Sequence, residues 1–189
     1  MEQTKKTSGG YKNLLVYRLS VTIFDFTVIF CDKFLADYKY KRTVEQMIQA
    51  GRSGKQNIVE GSKELSIASD ITLGSVSRSS YAELREDYED YLRQRGLPIW
   101  KKDDPRVIRV RSFKEIIEKE TTLEDFAKGT GLDLNNPENF ANLMICLCYK
   151  QEYLMDNYLR ANQAKFVNEG GFRENLFKKR IKTKLGKSD

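Results

Sequence analysis

The sequence predicts an all-α protein, an antiparallel four-helix bundle with a long connection before the last helix and a short C-terminal extension. Three observations predict it. Apolar residues recur three and four apart over long stretches. The candidate helices are of comparable length, ~33–48 Å at about 1.5 Å per residue, as up-and-down bundles require. Helix-starting and helix-stopping residues fall between them: Thr43 with Gln46, Ser69 or Asp70, Gly96 with Pro98, and Asn136 with Pro137.

The first helix is predicted from Tyr11 to about Tyr38. Leu14, Tyr17, Val21, Phe24, Val28, Cys31 and Leu35 form one heptad-like seam, and Val16, Leu19, Ile23, Phe26 and Phe30 form a second. The two stripes lie roughly 150° apart, so this helix has two faces to bury. One suits its own bundle. The other calls for a further helix or a second subunit, because a large exposed apolar stripe is a liability.

Thr43 and Gln46 read as a capping box opening a second helix that runs to about Glu64. Its seam, Val44, Met47, Gly51, Gly54, Ile58, Gly61 and Leu65, contains three glycines. An interior glycine costs a helix roughly 1 kcal/mol relative to alanine, which close approach of a facing backbone can offset. A polar stripe, Gln46, Ala50, Ser53, Asn57, Glu60 and Glu64, runs beside the seam.

The third helix is predicted to start near Ser69 or Asp70 and stop before Gly96, with Ser77, Tyr81, Leu84, Tyr88 and Tyr91 on one face. Residues 96–136 read as a structured connector: a loop flanked by Pro98 and Pro105, an extended "RVIRVRS", a short helix capped by Ser112 and Glu115 through about Lys119, and a turn from Leu123 to Lys128 stopped at Gly129. Asn136 as N-cap and Pro137 in the first turn open the fourth long helix, with Phe140, Leu143, Leu147, Gln151, Leu154, Tyr158 and Ala161 on its seam and Gly170-Gly171 at its end. The bundle thus occupies residues 11–169 and a basic tail residues 170–189.

Composition narrows the function. The 189 residues contain no histidine, the side chain most used for acid–base chemistry and metal ligation near neutral pH. The acidic run Glu83, Glu86, Asp87, Glu89 and Asp90 reads as helix surface laced with Arg85, Arg93 and Arg95, and no metal, cofactor or catalytic group is assigned. Cys31, Cys146 and Cys148 are an odd set in apolar surroundings, which predicts reduced thiols and a cytoplasmic protein. No stretch reads as a signal peptide or membrane span. The net charge of +6 sits mostly in the tail, where residues 170–189 carry seven Lys/Arg against two acids.

The run "RTVEQMIQAGRSGKQNIVEGSKE", with Ala50, Ser53, Asn57, Ile58, Glu60 and Gly61 at its centre, resembles the four-helix-bundle family named for proteins encoded in 23S rRNA intervening sequences. "LGSVSRSSYAELREDYEDYLRQRGLPIW" and "YLMDNYLRANQAKFVNEGGFRE" resemble its subgroup with a C-terminal suffix domain. The resemblance implies a four-helix protomer in a ring-like homo-oligomer, commonly a pentamer. The family includes the accessory variability determinant of diversity-generating retroelements, a basic barrel thought to bind nucleic acid and the reverse transcriptase. The chain differs from that protein in its long insertion, its suffix and its near-neutral body.

Two readings of function follow. The first is a non-catalytic oligomer that binds RNA or DNA through Lys178, Lys179, Arg180, Lys182 and Lys184 of the tail, with Arg52 and Lys55 as further phosphate contacts. The second is a protein-binding scaffold with no nucleic-acid contact. Asn57 and Glu60, one turn apart, are expected to bond between helices or subunits, with ligand contact as the alternative. Ala50, Ser53 and Gly61 are expected to serve packing.

Overall fold

The long stretches of helix-compatible periodicity form helices among the described residues. The structure, a computed structural model, describes residues 10–114 and 121–185, and among them no strand occurs. A single 3-10 turn (Gly10–Asn13) leads into α1 (Leu15–Phe34), which ends earlier than the apolar seam suggests. The reason is local. The Asp37 carboxylate accepts from the Lys39 amide and starts a separate 3-10 turn, Tyr38–Tyr40, that runs straight into α2 (Lys41–Lys63). Thr43 and Gln46 therefore lie inside α2 instead of capping it.

Helix α3 (Ile67–Gln94) stops in a Schellman arrangement. Gly96 takes φ +63°, and the amides of Gly96 and Leu97 donate to Arg93 and Leu92. The predicted extended "RVIRVRS" is helical: Asp104 accepts from the Arg106 amide and Pro105 presets the first turn of α4 (Pro105–Ser112). The cap outweighs the β-branched valines and isoleucine. Most of the short helix expected from Ser112 to Lys119 lies outside the described residues.

A reciprocal Thr122–Asp125 capping box opens α5 (Leu123–Thr130), which stops at left-handed Gly131, beyond the expected Gly129. Asn136 accepts from the amides of Glu138 and Asn139, opening α6 (Pro137–Glu169), and Gly170 at φ +77° closes it. The tail forms α7 (Phe172–Leu185).

Helices α1 and α3 each pack against both α2 and α6. Their pairings run in opposite senses along the chain. Gly51, Gly54 and Gly61 of α2 face Leu84, Tyr81 and Asp70 of α3, and Gly74, Arg78 and Arg85 of α3 meet Leu159, Asp156 and Glu152 of α6. Val16 of α1 accepts from Gln151, while Phe30 meets Phe140.

The second stripe of α1 is the one that faces the core. Val16, Leu19, Ile23, Phe26 and Phe30 are buried with Tyr81, Leu84, Tyr88, Phe140, Leu143 and Leu147, whereas of the heptad seam Cys31 and Leu35 are buried too, Tyr17, Val21, Phe24 and Val28 are half-buried and Leu14 is exposed. The connector shares this core. Phe126 stacks edge-on against Phe26, and buried Trp100 donates its amide to Asn142 and its indole N–H to Glu138.

Candidate interaction surfaces

The glycines of α2 fix how closely α3 lies. With no side chain at Gly54, the Tyr81 ring sits where a Cβ would be, and the Ser77 hydroxyl donates to the Gly54 carbonyl at 2.8 Å. Beside this seam the small polar residues meet. Ser53 and Ser80 hydroxyls stand 3.0 Å apart across the helix pair, and the Asn57 amide donates to the Ser53 carbonyl and hydroxyl at 2.9 and 3.2 Å. Asn57 therefore braces the α2–α3 contact through Ser53. Ala50 is buried and Gly61 rests against Asp70, but Glu60 points to solvent.

Of the two basic residues on α2, Arg52 is exposed, and Lys55 is half-buried with its ammonium 3.9 Å from the centre of the Phe24 ring. A cation over an aromatic face is held by the ring quadrupole. Lys55 thus joins α2 to α1, and it covers Phe24 of the outer α1 seam.

An open groove of about 830 Å³ runs along the outer edge of α2 and α3. Gln46, Gln49, Ala50, Ser53 and Ser80 form part of its lining, and Glu45, Glu83, Glu86, Asp87, Asp90 and Arg42 complete it. Asp90 pairs with Arg93 at 2.8 Å; among the described residues Glu45, Glu83, Glu86 and Asp87 have no cationic partner. Burial, with Asp90, Glu83 and Glu86 adding repulsion, pushes the Asp87 carboxyl up to about 6.

A consequence can be measured. A carboxyl raised on folding contributes its relative stability below its unfolded value and loses it as pH rises through about 6. Asp87→Asn is therefore expected to raise the melting temperature at pH 7.5 and to match the parent at pH 3.5, where both side chains are neutral. Equal melting temperatures at both pH values would show that the groove places no electrostatic load on Asp87.

At the far end of α3 a different arrangement anchors the tail. Buried Asp70 accepts from the Tyr158 hydroxyl at 2.8 and 2.9 Å and from the Asn162 amide at 3.1 Å. Burial pushes the Tyr158 hydroxyl up to about 12. This clasp fixes α6 to α3, beyond which α6 runs on to Gly170. There Asn175 donates to the Glu169 and Gly170 carbonyls, and the Gly171 amide donates to Glu174, so α7 starts from a defined platform.

On α7 the residues Lys178, Lys179, Arg180, Lys182 and Lys184 are all exposed, and so are Phe172, Leu176, Phe177 and Ile181. The basic helix and the acidic groove lie toward opposite ends of the molecule. Asp87 stands ~25 Å along α3 from the Asp70 clasp, and α6 continues ~10 Å past its own side of that clasp. Arg52 lies on α2 and is not brought to α7.

The interior offers little reactive chemistry. Burial pushes the Cys31 and Cys146 thiols up to about 12 and about 11 and the Cys148 thiol higher still, so all three are held protonated. The buried Tyr81 hydroxyl and Gln151 Oε1 have no hydrogen-bond partner among the described residues. No group of three or more His, Cys, Asp or Glu among those residues is placed to hold a metal ion, and no helix there is long and apolar enough to cross a membrane. No family model, curated protein or solved structure matches the chain.

The α2 side of the groove escaped the sequence reading. The acids of α3 are visible as a run, but Arg42, Glu45 and Gln49 join them only through the α2–α3 pairing, whose one sequence signal is the glycine seam.

Proposed function

We propose that this chain is a non-catalytic, cytoplasmic protein, an antiparallel four-helix bundle of α1, α2, α3 and α6 that assembles into a homo-oligomer and binds RNA or DNA through α7. The observation that carries this reading is the exposure of all five of Lys178, Lys179, Arg180, Lys182 and Lys184 on one helix at one end of the molecule. Phosphate binding needs clustered, exposed cations and is weakened by nearby carboxylates. Distance from the acidic groove meets the second condition. Arg52 is free to add a contact, while Lys55 has its ammonium engaged by Phe24.

Assembly is supported by the half-buried outer seam of α1 and by the resemblance to the intervening-sequence family, which favours a pentamer. In a ring the α7 helices multiply, so weak contacts add by avidity. A cytoplasmic setting accords with three free thiols. The rival reading, a protein-binding scaffold, draws on the exposed Phe172, Leu176, Phe177 and Ile181 of α7.

The test is a titration of labelled RNA and DNA with the full chain and with a version ending at Gly170, across a range of salt. Binding by the full chain that weakens steeply with salt and is lost on truncation is expected. If neither version binds, the nucleic-acid reading falls and the scaffold reading replaces it.

A further inference from the structure

The groove and α7 are complementary surfaces that one molecule cannot bring together. The groove is lined by five carboxylates and one arginine. Helix α7 carries six Lys/Arg and one Glu over its 14 residues. Their lengths agree: the acids from Glu83 to Asp90 span ~10 Å of helix, and the cations from Lys178 to Lys184 span ~9 Å.

The groove floor is small-sided, with Ala50, Ser53 and Ser80, and leaves room for bulky side chains such as Phe177 and Ile181. Within one chain the contact is out of reach. From the end of α6 to Asp87 is ~35 Å along the bundle, whereas α7, even folded back, extends ~21 Å.

We propose that α7 of one copy lies in the α2–α3 groove of a second copy, its lysines meeting Glu83, Glu86, Asp87 and Glu45. The two surfaces differ, so the contact is head-to-tail. Each copy both gives a helix and receives one, and assembly proceeds beyond a dimer. The arrangement gives the uncompensated carboxylates their cations and covers the apolar side chains of α7. It goes beyond the nucleic-acid reading and makes the groove a competitor with phosphates for the same lysines.

The experiment measures the mass of the full chain in solution, without nucleic acid, for the parent and two variants. One is Glu83→Lys with Glu86→Lys, which reverses the groove; the other is Lys179→Glu with Lys182→Glu, which reverses α7. All four side chains are exposed, and unchanged helical circular dichroism checks folding. The parent is expected to be larger than a dimer at low salt and to dissociate as salt rises.

Each variant alone is expected to lose this association, and an equimolar mixture to recover it in alternating copies larger than a dimer, because reversed α7 meets reversed groove and unaltered α7 meets unaltered groove. A monomeric parent overturns the proposal, as does a variant that keeps the parent's mass or a mixture that stays monomeric. Nucleic-acid binding is read separately by titration. Failure of self-docking and failure of the nucleic-acid reading therefore give different results.

Discussion

Phe30→Ala is expected to destabilise the protein by about 3–5 kcal/mol, the usual range for emptying a fully buried aromatic site. Phe30 is wholly inaccessible, and four rings surround it: Phe34, Tyr88, Tyr91 and Phe140, with centroids 4.8 to 5.5 Å away. Those rings belong to three different helices, so collapse into the cavity would require α3 and α6 to move together. The edge-on pairs add to the loss. In a chain of this size the melting temperature should fall by about 6 °C or more. A shift of only a degree or two would mean that the α1–α3–α6 aromatic centre is not what holds the helices.

Gly54→Ala is expected to cost about 1–3 kcal/mol even though alanine is the better helix former. A Cβ at Gly54 would fall 2.5 Å from the Tyr81 ring, and Tyr81 is fully buried with little room to withdraw. Gly51→Ala supplies the contrast. There the nearest atoms, on Phe24 and Leu84, lie at 3.6 to 3.8 Å, ordinary contact distances. That variant is expected to be neutral or more stable by up to about 1 kcal/mol. Urea unfolding of both variants separates steric need from mere occurrence of glycine, and equal effects would refute the close-approach explanation.

The glycine pair shows what the sequence made legible. Three- and four-residue spacing put Gly51, Gly54 and Gly61 on one line and marked that line as buried, but spacing carries no distance. Only the partner decides which glycine is indispensable, and Tyr81 is chosen by the α2–α3 register. The local signals at Asn136–Pro137 and Gly170 were read as caps, whereas the equally local Asp104–Pro105 and Thr122–Asp125 were passed over. At the start of α2 the Thr43 signal misled, because Asp37 built a turn that took over the start of the helix.

The two stripes of α1 could not be ranked from the sequence, because each satisfies helical spacing. The ranking comes from tertiary contacts: the Phe26–Phe30 side meets Phe126, Tyr88 and Phe140, and the Phe24 side meets Gly51 and Lys55. Lys55 illustrates the same limit in the candidate site. Its place on the helix surface suggested a free cation, and its actual partner sits on another helix.

The most direct measurement is the salt dependence of RNA and DNA affinity, by fluorescence anisotropy, for the full chain and for a variant with Lys178, Lys179, Arg180, Lys182 and Lys184 all changed to Gln. If five lysine and arginine side chains neutralise phosphates on a duplex, the logarithm of affinity should fall against that of salt with a slope of about −4 to −5, and the variant should lose nearly all of it. A slope that the substitutions leave unchanged, or no binding by the parent chain at low salt, would contradict the assignment of α7 as the nucleic-acid surface.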